Sequence, residues 1–322
     1  MKRIAFTALA MALVAVALPA AAQQKYPNKP VRMIVPFSPG SQTDITARLV
    51  GQKLGEKWGE QIVVDNRPSG GGTVAFQMVS TSTPDGHTLM AHSSGYAISP
   101  WLYPKLKIDI LRDFQAVSLM ASTPQVIVVG KDLGVKSVKD LVALMKSKGA
   151  QFPVAVPGIG SSSHLVTEKF YLAIGGKANN IWYKGTPECM TDTMAGRTSM
   201  SFLPLAPTVP FLRDGRLIGL AVSGKDRSPV VPDIPTVAES GFPGFDYTSW
   251  FLLAAPAKTP KAIVEQASAE VRRVLALPDV KERLATLGAT PVPMTPAEAQ
   301  AFVKAEYESL GKLIKAAGVT VD

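Results

Sequence analysis

Cysteine is almost absent from the chain, since Cys189 is the only one among 322 residues. A single cysteine excludes a disulfide framework and any cysteine-rich zinc or iron–sulfur site. Histidines are equally few, and His87 and His92 lie five residues apart across a predicted strand, which directs them to opposite faces. We therefore expect neither a bound metal nor a cofactor, and we interpret Cys189 as a small buried residue rather than a nucleophile.

Charge is also scarce. Charged residues make up 18% of the chain and hydrophobic residues 46%, which excludes a disordered protein. The formal net charge of +9 attracts anions at long range. The basic residues are scattered, however, without the aromatic-interleaved patch typical of nucleic-acid binding, so we expect no nucleic-acid partner. The length predicts one large or two medium-sized domains.

The first 22 residues have the organisation of a secretory signal peptide. Lys2 and Arg3 form a basic start, an apolar run extends from Ile4 to Leu18, and three alanines end at Ala22. The apolar run of about 15 residues is shorter than the roughly 20 that a membrane span needs. We expect cleavage after about Ala22 and a periplasmic location.

Short apolar strands alternate with helices along the rest of the chain. The predicted strands are 31–37, 61–64, 88–91, 126–129, 153–156, 181–183, 198–202, 217–222 and 248–255. The predicted helix starts are Ser41, Val74, Ser137, Ser161, Thr186, Thr259, Pro278 and Thr295. This alternation predicts an α/β protein made of two α/β units, the first with a largely parallel sheet.

Two loops share one arrangement, in which a strand is followed by a turn rich in glycine and serine and then by a helix start. They are Pro39–Asp44 and Gly158–His164. A helix N-terminus presents unpaired N–H groups and a partial positive charge, so each loop is a potential anion site. Ser41 and Ser161 also fit the simpler role of helix caps, with Asp44 as a capping-box acid. Three consecutive serines, however, exceed what a cap requires.

Enzyme motifs are incomplete in the second loop. Gly158-Ile159-Gly160 lacks the third glycine of a dinucleotide fingerprint, because Ser163 stands there. The run 160–164 also misses the nucleophile elbow of hydrolases, because His164 replaces the second glycine. We expect a binding protein and no enzyme; the alternative is a secreted serine hydrolase that uses Ser161–Ser163 with His164.

Several short segments form an ordered set from about residue 26 to the end of the chain. They are Tyr26–Val31, Val35–Gly40 with Thr43-Asp44, Val64–Pro68 with Gly71-Gly72, Pro84–Gly86, Gly160–Leu165, Tyr183–Gly185, Val231–Thr236 and Thr248–Phe251. This set closely resembles the Bug/TctC family of extracytoplasmic solute receptors, which serve tripartite tricarboxylate transporters. No single segment is decisive, but the ordered set is specific.

The resemblance implies a type 2 periplasmic-binding-protein fold, with two lobes of mixed sheet flanked by helices and a ligand cleft between them. It implies that 25–125 with 250–322 form the first lobe and that 126–249 form the second. It further implies a monomer that captures a small carboxylate in its cleft and presents it to membrane transporter subunits. Both serine-containing loops would hold carboxylates, in agreement with the anion sites inferred above.

Two departures from the family pattern bear on the ligand. Ser41 replaces the second glycine of a common Pro-Gly-Gly, and Leu203-Pro204 replace a common Asp-Asn after a strand. The second change removes a polar partner for a ligand amine or hydroxyl, and Leu205, Tyr96, Trp250 and Phe37 are further candidates to line the ligand's body. We therefore expect an aromatic dicarboxylate such as terephthalate, with an aliphatic dicarboxylate as the alternative.

The candidate ligand-binding residues come from both loops, the third strand and the Leu203-Pro204 segment. They are Phe37, Ser41, Gln42, Thr43, Asp44, His92, Ser93, Ser94, Gly160, Ser161, Ser162, Ser163, His164, Leu203 and Pro204.

Overall fold

The computed structural model of the protein describes residues 26–318, so the predicted signal peptide at residues 1–22 lies outside the described residues. Within residues 26–318, no helix combines the length and apolarity that crossing a membrane requires.

The predicted strands and helices occur in the predicted order, and the helices at Ser99–Leu102 and Leu205–Arg213 and the short strand at Thr290–Pro291 were not predicted. The strands are β1 (Val31–Val35), β2 (Ile62–Asn66), β3 (Thr88–Ser93), β4 (Phe114–Gly130), β5 (Pro153–Pro157), β6 (Asn179–Tyr183), β7 (Met200–Pro204), β8 (Leu217–Val222), β9 (Thr248–Pro256) and β10 (Thr290–Pro291). The helices are α1 (Gln42–Trp58), α2 (Thr73–Ser80), α3 (Ser99–Leu102), α4 (Val138–Lys148), α5 (Ser162–Ile174), α6 (Thr186–Met194), α7 (Leu205–Arg213), α8 (Lys261–Ala276), α9 (Pro278–Thr286) and α10 (Pro296–Ala317).

The strands form a mixed sheet that divides into two halves. In the first half, β1 pairs in parallel with β2 and β3, and β9 runs antiparallel to β3 and β4. In the second half, β5 pairs in parallel with β6 and β7, while β7 and β8 run antiparallel to β4. We call the half with β1–β3 and β9 the first lobe, and the half with β5–β8 the second lobe.

Strand β4 connects the two lobes. Its residues from Phe114 to Pro124 pair with β9, and its residues from Gln125 onward pair with β7 and β8. The sequence predicts a strand only over 126–129, because serine, threonine and glutamine interrupt the apolar pattern before it. The whole strand is nevertheless extended, since it has a paired neighbour in one lobe or the other along its length.

Four of the eight predicted helix starts have side-chain caps, and Ser41 and Ser161 are two of them. Ser137 and Thr295 each accept a backbone N–H from three residues later, and Thr295 forms a complete capping box with Glu298. Thr186 is not a cap: it is the first residue of α6, Gly185 holds the cap position, and no side chain caps this helix.

One apolar cluster joins residues of β1 and β3 with residues of β5 and β7, and each lobe has a further cluster of its own. In the first lobe, α1, α8 and α9 pack on the sheet around Val50, Leu54 and Val271, and Trp58 is also buried there. In the second lobe, Cys189 is fully buried against β4, and burial raises the pKa of its thiol above the usual range. A buried thiol of raised pKa has the inert character that the sequence predicts.

Candidate functional site

A small cavity of about 20 Å³ lies between the lobes, at the ends of β1, β3, β5 and β7. Its lining comes from both lobes: Phe37, Ser41, Gln42, Thr43, Ser93, Pro157, Ser161, Ser162, Ser163, Gly185, Thr186, Pro204 and Phe251. None of these described lining side chains carries a formal charge. This volume has room for about one water molecule, so a dicarboxylate fits only when the lining moves outward.

Three helix N-termini meet at this cavity, those of α1, α5 and α6. Ser41 caps α1 by accepting the Asp44 N–H at 3.4 Å, and Ser161 caps α5 by accepting the His164 N–H at 3.1 Å. The caps satisfy only part of each first turn, so the earliest amides keep no helical partner. The cavity is therefore surrounded by N–H donors and partial positive charge, which favours an anion.

Gln42 contributes an unpaired polar group to the lining. Its side chain is only 1% exposed, and its amide nitrogen donates to Thr46 Oγ1 at 3.2 Å. Its Oε1 has no hydrogen-bond partner among the described residues. Because the two ends of a glutamine amide exchange by a simple rotation, Gln42 can present either a donor or an acceptor to a bound molecule.

The serines at the start of α5 are held by a residue that the sequence analysis did not select. Gln125, on β4, donates from Nε2 to Ser162 Oγ at 3.2 Å and to Ser249 Oγ at 2.7 Å. Its Oε1 accepts from Ser163 Oγ at 2.9 Å. A lone glutamine before an apolar strand was the sequence signal that could have identified it.

Asp44 braces the first loop instead of lining the cavity. Its carboxylate accepts from the Gly40 N–H at 2.9 Å, from Arg48 Nε at 2.9 Å and from Asn66 Nδ2 at 2.9 Å. The predicted capping box is thus only half formed, since Ser41 caps Asp44 while the carboxylate reaches Gly40 and not Ser41. The negative charge is paired with Arg48 away from the cavity.

His92 and Ser94 lie behind the cavity wall. The His92 ring packs edge-on against Phe37, and its Nδ1 lies 3.0 Å from the Ser93 carbonyl oxygen. Burial lowers the pKa of His92 to about 4, so the ring is neutral near pH 7. Ser94 Oγ lies 3.0 Å from Tyr247 Oη. Of the three candidates on β3 and its extension, only Ser93 reaches the lining.

Gly160 and His164 shape the second loop from outside the cavity. The Gly160 N–H donates to His164 Nδ1 at 3.1 Å, and His164 Nε2 lies 3.6 Å from Glu168 Oε1. Within residues 26–318, the imidazole makes no hydrogen bond to the hydroxyl of Ser161, Ser162 or Ser163. The serine–histidine pair that the hydrolase alternative requires is therefore not formed.

The apolar part of the lining differs from the expectation for the Leu203-Pro204 segment. Leu203 and Leu205 are buried in the core of the second lobe, because the alternation along β7 turns Leu203 away from the cleft, and only Pro204 reaches the cavity. Phe251 also lines it, whereas Trp250 donates to Glu306 Oε2 at 2.7 Å beside α10.

Tyr96 is likewise outside the lining. It is fully buried, and its hydroxyl donates to the Ile110 carbonyl at 3.2 Å. The sequence analysis missed Pro157, Gly185 and Thr186 as lining residues; a proline following threonine at a helix start was the available signal for the last two.

The two lobes touch each other around the cavity. Ser38 Oγ donates to Glu188 Oε1 at 2.7 Å, and the Gly71 N–H donates to the Ile159 carbonyl at 2.8 Å. A Cβ atom on Gly95 would lie 2.2 Å from the Gly160 carbonyl oxygen, so this approach requires glycine. These contacts hold the two lobes together beside the cavity and describe a closed arrangement of the lobes.

Comparison with known proteins identifies the family of this chain. Residues 46–319 match the tripartite tricarboxylate transporter family receptor. The solved structure of the periplasmic binding protein BugD is 31% identical, with a TM-score of 0.88 over 92% of this chain and 100% of BugD. Rpa4515 from R. palustris, solved with adipate, is 32% identical with a TM-score of 0.88 over the same shares.

A third solved structure, MatC from Rhodopseudomonas palustris with bound malate, is 30% identical with a TM-score of 0.85 over 90% of this chain and 100% of MatC. The two-lobe binding-protein fold expected from the sequence is thereby confirmed. The family match covers most of the chain, and its members are receptors and not enzymes. The chain therefore belongs to the receptor family of tripartite tricarboxylate transporters.

Proposed function

We propose that this receptor captures a small dicarboxylate in the periplasm and delivers it to the membrane subunits of a tripartite transporter. The observation that carries the proposal is the uncharged cavity between helix N-termini of opposite lobes. Binding is reversible and needs no bound cofactor. Adipate in Rpa4515 and malate in MatC support a dicarboxylate as the ligand class.

The two ends of the ligand have separate anchors in this proposal. One carboxylate meets the start of α1, with the Ser41 and Thr43 hydroxyls and the amide of Gln42 as donors. The other meets the start of α5, with donors from Ser162 and Ser163. Hydrogen bonds to an ionised acceptor are stronger than neutral ones, so a dianion bridging both loops stabilises the closed lobes.

The body of the ligand lies against apolar groups. The rings of Phe37 and Phe251 and the prolines Pro157 and Pro204 line this part of the cavity. A flat hydrocarbon body fits such a lining without leaving its own polar groups unpaired. We propose an aromatic dicarboxylate of the terephthalate kind; an aliphatic dicarboxylate such as adipate is the alternative.

We propose lobe boundaries that follow the pairing of β4, with 25–125 and 250–322 in one lobe and 126–249 in the other. The exchange of partners between Pro124 and Gln125 supports this division. The protein acts as a monomer after removal of the signal peptide near Ala22, and the lobes hinge about the strands that join them.

Calorimetry with terephthalate, adipate, succinate, malate, citrate, glutamate and benzoate tests the proposal. We expect a dicarboxylate to bind tightly and benzoate, with one carboxylate, to bind weakly. At 100 times its Kd the preferred ligand stabilises the protein by about 2.7 kcal/mol in thermal unfolding. Binding of none of these dicarboxylates would refute the ligand class, and catalytic consumption of the ligand would refute a receptor.

A further inference from the structure

Gln125 occupies the point at which β4 passes from one lobe to the other. Pro124 is the last residue of β4 that pairs with β9, and Gln125 is the first that pairs with β7. Its side chain is fully buried. Its backbone is also fixed, since its N–H donates to Ser223 Oγ at 2.8 Å and its carbonyl accepts the Ser223 N–H at 2.7 Å. The glutamine side chain therefore projects from a rigid support.

The hydrogen bonds of Gln125 assign different roles to the two serines that it contacts. Ser163 donates its hydroxyl hydrogen to Gln125 Oε1, whereas Ser162 accepts from Gln125 Nε2. A hydroxyl has one hydrogen to donate, so Ser163 has used its hydrogen, whereas the Ser162 hydroxyl donates to no group within residues 26–318. Both nitrogen hydrogens of Gln125 are used as well, on Ser162 and Ser249.

We propose that Gln125 is a positioning residue that orients Ser162 as the hydroxyl donor to the ligand carboxylate. The inference rests on the proposed function, because it assigns a carboxylate to the start of α5. Gln125 itself does not line the cavity and acts through the serines. In this arrangement Ser163 contributes its backbone N–H to the anion, and its hydroxyl holds the glutamine amide in place.

A double-mutant cycle tests this assignment, with terephthalate or adipate as the probe, whichever the wild type binds more tightly. Ser162→Ala removes the donor and Gln125→Leu removes its orientation, so each weakens binding about tenfold or more. Because both changes remove the same interaction, the double variant loses no more than about the larger single loss. Independent losses that multiply to about a hundredfold would overturn the proposal.

Gln125→Glu provides a second test that a loss of fold does not mimic. An ionised carboxylate has only acceptors, so the new side chain accepts the Ser162 hydrogen and turns it away from the ligand. Its negative charge also repels the ligand carboxylate. A buried carboxylate takes up a proton more readily than an exposed one. We expect the affinity of this variant relative to wild type to recover from pH 8 to pH 6; an unchanged ratio would argue against the assignment.

Amide hydrogen exchange separates failure of this inference from failure of the proposed function. If wild type binds none of the dicarboxylates above, the proposed function fails, yet the positioning role remains testable without ligand. Gln125→Leu then accelerates exchange of the amides over 160–164, while those of the distant α4 exchange as in wild type. Unchanged exchange over 160–164 would mean that Gln125 does not position the serine loop.

Discussion

The hydrogen bond between Ser38 and Glu188 offers a direct way to alter lobe closure without changing the cavity lining. Ser38 belongs to the first lobe and Glu188 to the first turn of α6 in the second, and their oxygen atoms lie 2.7 Å apart. The other carboxylate oxygen of Glu188 is buried without a hydrogen-bond partner in the described part of the chain. Ser38→Ala therefore leaves this carboxylate without a side-chain donor when the lobes are closed.

The expected cost falls on the closed state, because water solvates the carboxylate when the lobes separate. A hydrogen bond to a charged group contributes about 1.5–3 kcal/mol. If ligand binding requires closure, the Kd of the preferred dicarboxylate rises by about 10- to 150-fold. The melting temperature without ligand changes little, because the bond forms only between lobes.

Calorimetry and small-angle scattering measure the two consequences of Ser38→Ala. We expect weaker binding together with a smaller ligand-induced decrease in the radius of gyration. The matched control is Ser147→Ala, because Ser147 is exposed and its hydroxyl donates to the Leu144 carbonyl within its own helix. Wild-type affinity and compaction in Ser38→Ala would refute the argument that this contact stabilises the closed lobes.

Two further predictions concern stability. Ser161→Ala removes the cap of α5 and should lower the free energy of unfolding in urea by about 1 kcal/mol. The matched control Ser137→Ala, which removes the cap of α4, should lose a similar free energy while keeping ligand affinity. A Ser161→Ala variant as stable as wild type would contradict the capping role. Burial lowers the pKa of His92 to about 4, so the folded state resists protonation and the unfolded state does not. The contribution of His92 to the free energy of unfolding is therefore fully present above about pH 6.5 and falls by about 3 kcal/mol toward pH 4. His92→Phe should reduce this loss of stability when acid unfolding is measured. An unaltered pH profile would show that another group causes the loss.

The alternation of strands and helices was predictable because it depends on local patterns. The end of β8 at Val222, the start of α9 at Pro278 and the cap at Thr295 follow from apolar runs, proline positions and capping residues that neighbours in sequence determine. The extent of β4 was not predictable in this way. Its polar half is extended because β9, more than a hundred residues later, pairs with it.

Part of the candidate site was also predictable, since helix starts identified both serine-containing loops. Sequence could not distinguish side chains that face the cavity from those that turn away from it. Leu203 and Pro204 are adjacent, yet one packs in the core and the other lines the cavity. Gln125 was missed because its contacts with Ser162 and Ser249 connect distant parts of the chain.

A crystal structure with the preferred dicarboxylate tests the central claim most directly. We predict one carboxylate within hydrogen-bonding distance of the Gln42 and Thr43 segment and the other beside Ser162 and Ser163, with the ligand body between Phe37 and Phe251. A ligand bound outside this cavity, or one whose carboxylates contact neither helix start, would contradict it.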